Sequence, residues 1–261
     1  MENIKIIIYS TVQGFTEFLP VSSSAHLYFF EYLFSWEQNT ILFALGAHLG
    51  TFFAVIFHQR EHIYNFKNVI IKPKLYLKDN IFILAIISSL PLVMCGLALV
   101  LIDNNFYKSN LNIIAFGCII GGILLDFSDN YFKHQKKKGK VSLNNVFYIG
   151  FFQVLAIIPG MSRSGTIITA MRFLNIERNL CIHFSLLSGI PVLFLACSYS
   201  IFQIFFNFEM YVLKFSFIVI ISFLTALVTI KYFISLTRKF SFRIFSIYRV
   251  LLGLVILLTI N

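Results

Sequence analysis

The stretch Pro159-Gly160-Met161-Ser162-Arg163-Ser164-Gly165 sets an arginine between serines and glycine inside otherwise apolar sequence. The runs on either side, Val146–Ile158 and Thr166–Leu174, are each too short to cross a bilayer. A mid-membrane arginine costs roughly 2.5–3.5 kcal/mol on insertion scales, so its presence needs a physical reason. One reading is a loop arginine snorkelling to a headgroup. The favoured reading is an anion site. Pro159 and Gly160 break the helix, the next helix starts near Ser164, and its free N–H groups point at whatever the guanidinium holds. A phosphate meets that description.

A second cluster lies near the start of the chain. Gln13 and Glu17 are four residues apart and share one helical face. Glu17 is the only carboxylate deep in an apolar run, which suits a metal ligand or a general acid/base facing Arg163. Ser22, Ser23 and Ser24 follow Pro20, and one of them caps the next helix. His26 falls in the first turn or so of that helix. Its imidazole can serve as base for a hydroxyl or as a nucleophile toward phosphorus, and the residues leave both open. His48 lies inside an apolar span, where it either lines a cavity or bonds a neighbouring helix. Around the catalytic candidates Glu17, Ser23, His26 and Arg163, the expected substrate contacts are Ser22, Ser24, His48, Ser162, Ser164, Gly165 and Thr166. Other polar residues read as structural. His58, His62 and His134 fall in loops, His183 is interfacial, and Tyr248 with Arg249 snorkels from the end of the last span.

The elements that must hold these residues are membrane helices. Of 261 residues, 58% are hydrophobic and 12% charged, against roughly 25% charged in a soluble domain. A net charge of +10 could suggest nucleic acid, but the basic residues sit between apolar runs, where membrane orientation accounts for them. No nucleic-acid partner is expected. Cys95, Cys118, Cys181 and Cys197 are scattered through apolar segments and read as small packed hydrophobes. The N-terminus lacks a basic region and a cleavage site, so it reads as retained.

Ile4–Leu19, Pro20, the serines and His26–Phe34 form a short helix, a turn and another short helix, as does the 146–174 region. Six longer stretches are candidate spans: Ile41–Phe57, Ile81–Ile102, Leu111–Leu125, Phe184–Phe206, Tyr211–Tyr232 and Ile244–Ile260. Leu111–Leu125 must borrow from its flanks. Basic residues collect between the first two spans (Arg60, Lys67, Lys72, Lys74, Lys78), after the third (Lys133, Lys136, Lys137, Lys138, Lys140) and before the sixth (Lys231, Arg238, Lys239, Arg243). These loops are expected in the cytoplasm. Counting crossings then makes residues 146–180 a hairpin that returns to the cytoplasm, and the first 36 residues one that enters from outside. The expected fold is an all-α integral membrane protein of one domain, residues 1–261. Six spanning helices and two re-entrant helix pairs form an inverted-topology repeat, with halves of about 1–130 and 141–261. Pro20 and Pro159 are taken as equivalent points, with Ser23 and Ser162 each three residues on. Such repeats place their site where broken helices meet, near the midplane.

Two motifs carry a resemblance. Gln13-Gly14-Phe15-Thr16-Glu17-Phe18-Leu19-Pro20-Val21-Ser22-Ser23-Ser24-Ala25-His26, with Pro159-Gly160-Met161-Ser162-Arg163-Ser164-Gly165, resembles the undecaprenyl-diphosphatase family, the bacitracin-resistance membrane phosphatases. The similarity spans essentially the whole chain, including His48-Leu49-Gly50-Thr51, Phe184 through Pro191, and Tyr248-Arg249 with Gly253. It implies hydrolysis of undecaprenyl diphosphate to the monophosphate and inorganic phosphate, recycling the lipid carrier for cell-wall synthesis. It also implies a divalent cation (Mg or Ca) held near Gln13 and Glu17, and a polyprenyl diphosphate substrate for which bacitracin competes. The expected setting is the bacterial cytoplasmic membrane, with membrane lipid around the chain, a site open to the outer face, both termini outside and a possible homodimer. By motif position, Glu17, Ser23, His26, Ser162 and Arg163 take the family's functional roles. Ala25, Ala44 and Ile167 depart from the residues usual there, a glycine, an acidic residue and a threonine.

A transporter is the rival reading, since inverted repeats around a midplane anion site are equally the mark of secondary transport. Its most concrete form is a polyprenyl-phosphate flippase. The Glu, Ser, His and Arg set exceeds what binding alone needs, and phosphate release in detergent separates the two.

Overall fold

The computed structural model describes residues 2–36, 40–64, 66, 80–102, 110–131, 138–205 and 212–260. In chain order the helices are α1 (Glu2–Thr16), α2 (Ser23–Leu33), α3 (Thr40–His58), α4 (Arg60–Tyr64), α5 (Ile81–Ile102), α6 (Leu111–Tyr131), α7 (Leu143–Gln153), α8 (Arg163–Phe173), α9 (Arg178–Phe205), α10 (Val212–Lys239) and α11 (Arg243–Ile260). A 3₁₀ turn, Val154–Ile157, continues α7. The described residues hold no strand, only one isolated bridge between Lys138 and Ile176.

Five of these helices contain segments long and apolar enough to cross a membrane: Ile81–Leu99, Leu111–Tyr131, Arg178–Ser198, Lys214–Lys239 and Arg243–Ile260. Shorter apolar helices are Phe43–His58 and Leu143–Ile157. The chain is a multi-pass helical membrane protein. Its outward faces carry large apolar side chains, among them Met94, Leu101, Phe127, Leu224 and Leu258, as a surface solvated by lipid requires. The four cysteines are free, three of them buried.

Several elements run past the bounds expected from hydropathy. The weak stretch Leu111–Leu125 continues to Tyr131, and α9 begins at Arg178 rather than Phe184. Helix α10 continues to Lys239, so Lys231, Arg238 and Lys239 are helical rather than loop residues. Cations in a last turn are favoured by the helix dipole, and that extends the helix into polar sequence. His58 closes α3 and His62 lies in α4, so neither is a loop residue. Many of the expected orientation charges, including Lys67, Lys72, Lys74, Lys78, Lys133, Lys136 and Lys137, lie outside the described residues, as does His134.

Helix α3 packs along α10, α6 along α11, and α9 against α3 and α5. The short helices are wedged among these: α1 against α10 and α3, α7 against α5, and α8 against α6, α7 and α9. Pro91 and Pro191 lie inside α5 and α9, each removing a helical N–H. Near these prolines Ser88, Ser89 and Ser188 bond one another's helices: Ser89 Oγ donates to the Ser188 carbonyl at 3.2 Å, and Ser88 Oγ meets Ser188 Oγ at 3.3 Å. Serine hydroxyls of this kind re-satisfy backbone where lipid offers no partner.

One carboxylate knots the far end of α8. Asp129 Oδ1 accepts from Arg172 Nε at 2.7 Å and Arg178 Nε at 3.0 Å, while Oδ2 accepts from Arg178 Nη2 at 2.8 Å and the Phe242 N–H at 3.1 Å. Arg172 also donates to the Ile176 carbonyl, and both Asp129 and Arg172 are fully buried. Helices α6, α8, α9 and the turn before α11 are thereby joined at one point. Asp129→Ala leaves the Arg172 charge buried and unpaired, a loss of about 3–5 kcal/mol. Thermal unfolding of the detergent-solubilised variant is expected at a clearly lower temperature than wild type; an unchanged transition contradicts this role.

Candidate active site

The site forms where two helix breaks meet. Helix α1 ends at Thr16, and Glu17 follows it, bonded through its N–H to the Gln13 carbonyl at 3.0 Å. The chain turns through Pro20 and enters α2, whose N-cap is Ser22 at φ 73°. In the second break Gly160 lies at φ 93°, and Ser162 caps α8 at φ 63°. A non-glycine residue in the left-handed region is strained. Here both strained serines point their hydroxyls into the following helix: Ser22 Oγ accepts from the Ala25 N–H, and Ser162 Oγ from the Gly165 N–H. Ser24 Oγ lies 3.1 Å from Ser22 Oγ, and Ser164 Oγ lies 3.1 Å from Ser162 Oγ. The two turns therefore match with Ser22 against Ser162 and Ser23 against Arg163. That register is one residue from the expected pairing of Ser23 with Ser162, because the cap, and not the distance from proline, fixes the start of each helix.

The first residues of α2 and α8 grip the same carboxylate. Arg163 Nη2 donates to Glu17 Oε1 at 3.0 Å, and Ser23 Oγ donates to Glu17 Oε2 at 2.9 Å. Gln13 Nε2 adds a bond to Oε2 at 2.8 Å and lies 3.0 Å from His48 Nδ1. Of the two roles left open for His48, the structure shows the interhelical hydrogen bond. The side chains of Arg163 and Glu17 are 11% and 8% exposed, so solvent does little to screen their attraction. Both charges stand against their helix dipoles, a carboxylate at the end of α1 and a cation at the start of α8. Each makes the other tolerable. Arg163 Nη1 donates weakly to the Ser185 carbonyl at 3.3 Å, and its guanidinium lies against Gly189, where any Cβ would come within 2.6 Å. Ser164 Oγ donates to the Leu19 carbonyl at 2.7 Å, a second bond between the two breaks. Thr166 Oγ1 bonds its own helix at the Arg163 carbonyl.

His26 does not join this cluster. Its Nδ1 lies 2.7 Å from the Ser22 carbonyl and its Nε2 2.6 Å from the Tyr248 hydroxyl. A carbonyl only accepts, so Nδ1 carries the proton. Neither Tyr248 nor Arg249 behaves as a snorkelling residue. Arg249 is fully buried, and its Nη2 meets the carbonyls of Gly117, Gly160 and Met161 at 3.3, 3.0 and 2.8 Å. Its Nε and Nη1 have no protein partner, and no carboxylate pairs with it among the described residues. The guanidinium fills a slot that glycine opens: a Cβ at Gly121 would lie 1.9 Å from Nη2, and one at Gly165 2.8 Å from Nη1. Arg249 thus clamps the turn that presents Arg163. The signal for it was present in the sequence, an arginine seven residues into an apolar helix with no acid nearby.

Gln13 Oε1 is buried without a hydrogen-bond partner beside the Glu17 carboxylate. An unpartnered amide oxygen next to a carboxylate is the oxygen donor set that a hard divalent cation takes, and such ions draw their remaining ligands from phosphate and water. Among the described residues no three His, Cys, Asp or Glu side chains cluster as a metal cage. A cavity of about 410 Å³ lies elsewhere, beside Asp129 and the Arg172 and Arg178 that pair with it.

Comparison with known proteins places this geometry in context. Residues 6–255 match the family model described as bacitracin resistance protein BacA. A protein of Pelagibacter ubique named undecaprenyl-diphosphatase is 34% identical over 263 residues, covering 98% of this chain and 97% of its own. One of the same name from Prochlorococcus marinus is 34% identical, covering 98% of this chain and 95% of its own. Another from Tropheryma whipplei is 33% identical, with 96% of each chain covered.

Proposed function

Because the chain belongs to the bacitracin resistance protein BacA family, we infer that the Glu17–Arg163 centre is where it hydrolyses undecaprenyl diphosphate to undecaprenyl phosphate and inorganic phosphate. The observation that carries the placement is the shared carboxylate: a hydroxyl and a guanidinium, each the first residue of its helix, bond the two oxygens of Glu17.

That arrangement favours Ser23 as nucleophile and Glu17 as its base. Ser23 Oγ already donates to Glu17 Oε2, whereas the nitrogens of His26 bond the Ser22 carbonyl and the Tyr248 hydroxyl and not Ser23. Arg163 and the first amides of α8 take the oxygens of the terminal phosphoryl group, which is most of the work in phosphoryl transfer. Ser23 Oγ forms a bond to the terminal phosphorus as its proton passes to Glu17. The bridging P–O bond breaks, and undecaprenyl phosphate leaves. Water then attacks the phosphoserine with His26 as its base; as the Oγ–P bond breaks, Glu17 returns its proton to Ser23 Oγ and inorganic phosphate leaves. Gln13 and Glu17 would hold a divalent cation, which supplies charge neutralisation at the phosphate oxygens.

The finer architecture belongs to the same reading. Two re-entrant helix pairs, α1–α2 and α7–α8, sit in an inverted repeat within one domain, with the site open to the outer face, both termini outside and the polyprenyl tail in lipid. Support comes from the matched serine caps and from reciprocal packing. Helix α1 lies on the second long helix of the other half, α10, as α7 lies on α5; α3 packs on α10 as α9 packs on α5.

The test is phosphate release by the purified protein in detergent, where transport has no meaning, on polyprenyl diphosphate with and without a chelator. Turnover that falls with the chelator and returns with Mg or Ca is the expected result. Absence of phosphate release under every metal condition contradicts the hydrolytic reading and leaves transport in its place.

A further inference from the structure

The pair Tyr248-Arg249 reaches both helix breaks at once. Arg249 bonds the Gly160 and Met161 carbonyls of the turn before α8, while Tyr248, one residue earlier, bonds His26 in α2. We propose that Tyr248 is a positioning residue of the reaction, acting through His26. This rests on the role given above to His26.

His26 is 7% exposed, and its Nδ1 proton is committed to the Ser22 carbonyl. The lone pair of the neutral ring is therefore on Nε2, and the Tyr248 hydroxyl donates to it at 2.6 Å. With both nitrogens held, the imidazole has one tautomer and one orientation, its plane within 7° of the tyrosine ring. A hydroxyl suits this place better than an amide or an ammonium. It donates to the neutral ring and accepts from the protonated one, so the contact survives when Nε2 is protonated, the hydroxyl passing its own proton to Nε2 as it takes one from water. Tyr248 is itself 44% exposed, which leaves its hydroxyl between a buried base and the surroundings of α11. Because Arg249 fixes the same stretch of α11 to the Gly160–Met161 turn, the position of His26 is set in the frame that also carries Arg163.

The experiment is Tyr248→Phe, which removes one oxygen and keeps the ring. On polyprenyl diphosphate in detergent, kcat is expected to fall about tenfold with KM within about twofold of wild type, the pattern of a lost contribution after binding. In ¹⁵N-histidine-labelled protein the His26 imidazole signal, identified by its loss in His26→Gln, is expected to leave the Nδ1–H tautomer pattern in the same variant. Unchanged kcat overturns the proposal. So does a lowered kcat with an unmoved imidazole signal, since Tyr248 would then act by another route. Full turnover in His26→Gln removes the role of His26 itself and Tyr248's with it. That failure is distinct from one seen in Tyr248→Phe alone.

Discussion

Arg163→Ala is expected to lower phosphate release by about 10³-fold or more, the range seen when the cation facing a transferred phosphoryl group is lost. The argument is electrostatic. In a site where Arg163 and Glu17 are about nine-tenths buried, the guanidinium acts in a weak dielectric and is aimed before substrate arrives. The truncation also leaves Glu17 without its cation, so a fold control is needed. Arg163→Lys keeps the charge but loses the planar fork that meets Glu17 and the Ser185 carbonyl. It is expected to purify normally and to show intermediate activity. Near-native turnover in Arg163→Ala removes the anion site.

Ser23→Ala carries the second large effect, again about 10³-fold or more in kcat, as expected for loss of a nucleophile whose binding partners remain. Stability should fall by no more than the worth of one hydrogen bond to a charged group. Glu17 loses one donor, a contribution of about 1.5–3 kcal/mol, but keeps Gln13 and Arg163. KM should also hold, because the phosphate contacts proposed above lie on α8. Activity within tenfold of wild type would assign the attack to another group, of which His26 is the alternative that the sequence left open.

The residues around these predictions were readable in the sequence to different degrees, for physical reasons. Glu17 and Arg163 stood out because a charge in an apolar run is costly, and the cost is what makes it visible. Pro20 and Pro159 marked the breaks, since neither can continue a helix. The pairing of the two turns was misplaced by one residue. It depends on a serine adopting φ 73° or 63° to cap its own helix, which residue type alone does not reveal. Asp129 and Arg172 are more deeply buried than Glu17, yet their pairing spans 43 residues of chain and two helices, and hydropathy carries no distance. Tyr248 and Arg249 passed as boundary residues because both lie near a span end. Only the packing of α11 on α6, with glycine at 121, turns the guanidinium inward and the hydroxyl onto His26. Helix ends at Lys239 and Tyr131 were missed for the ordinary reason that a helix continues through polar residues once its apolar face is packed.

Everything about the reaction depends on one phosphoryl group resting between the starts of α2 and α8. The most direct measurement is an experimentally determined structure of the protein with orthovanadate, which adopts the shape of a phosphoryl group in transfer. Vanadium bonded to Ser23 Oγ, with its oxygens within hydrogen-bond distance of the Arg163 guanidinium, is the predicted result. Vanadate bound away from both residues, or an Arg163 guanidinium facing a different side of the membrane from Ser23, contradicts it.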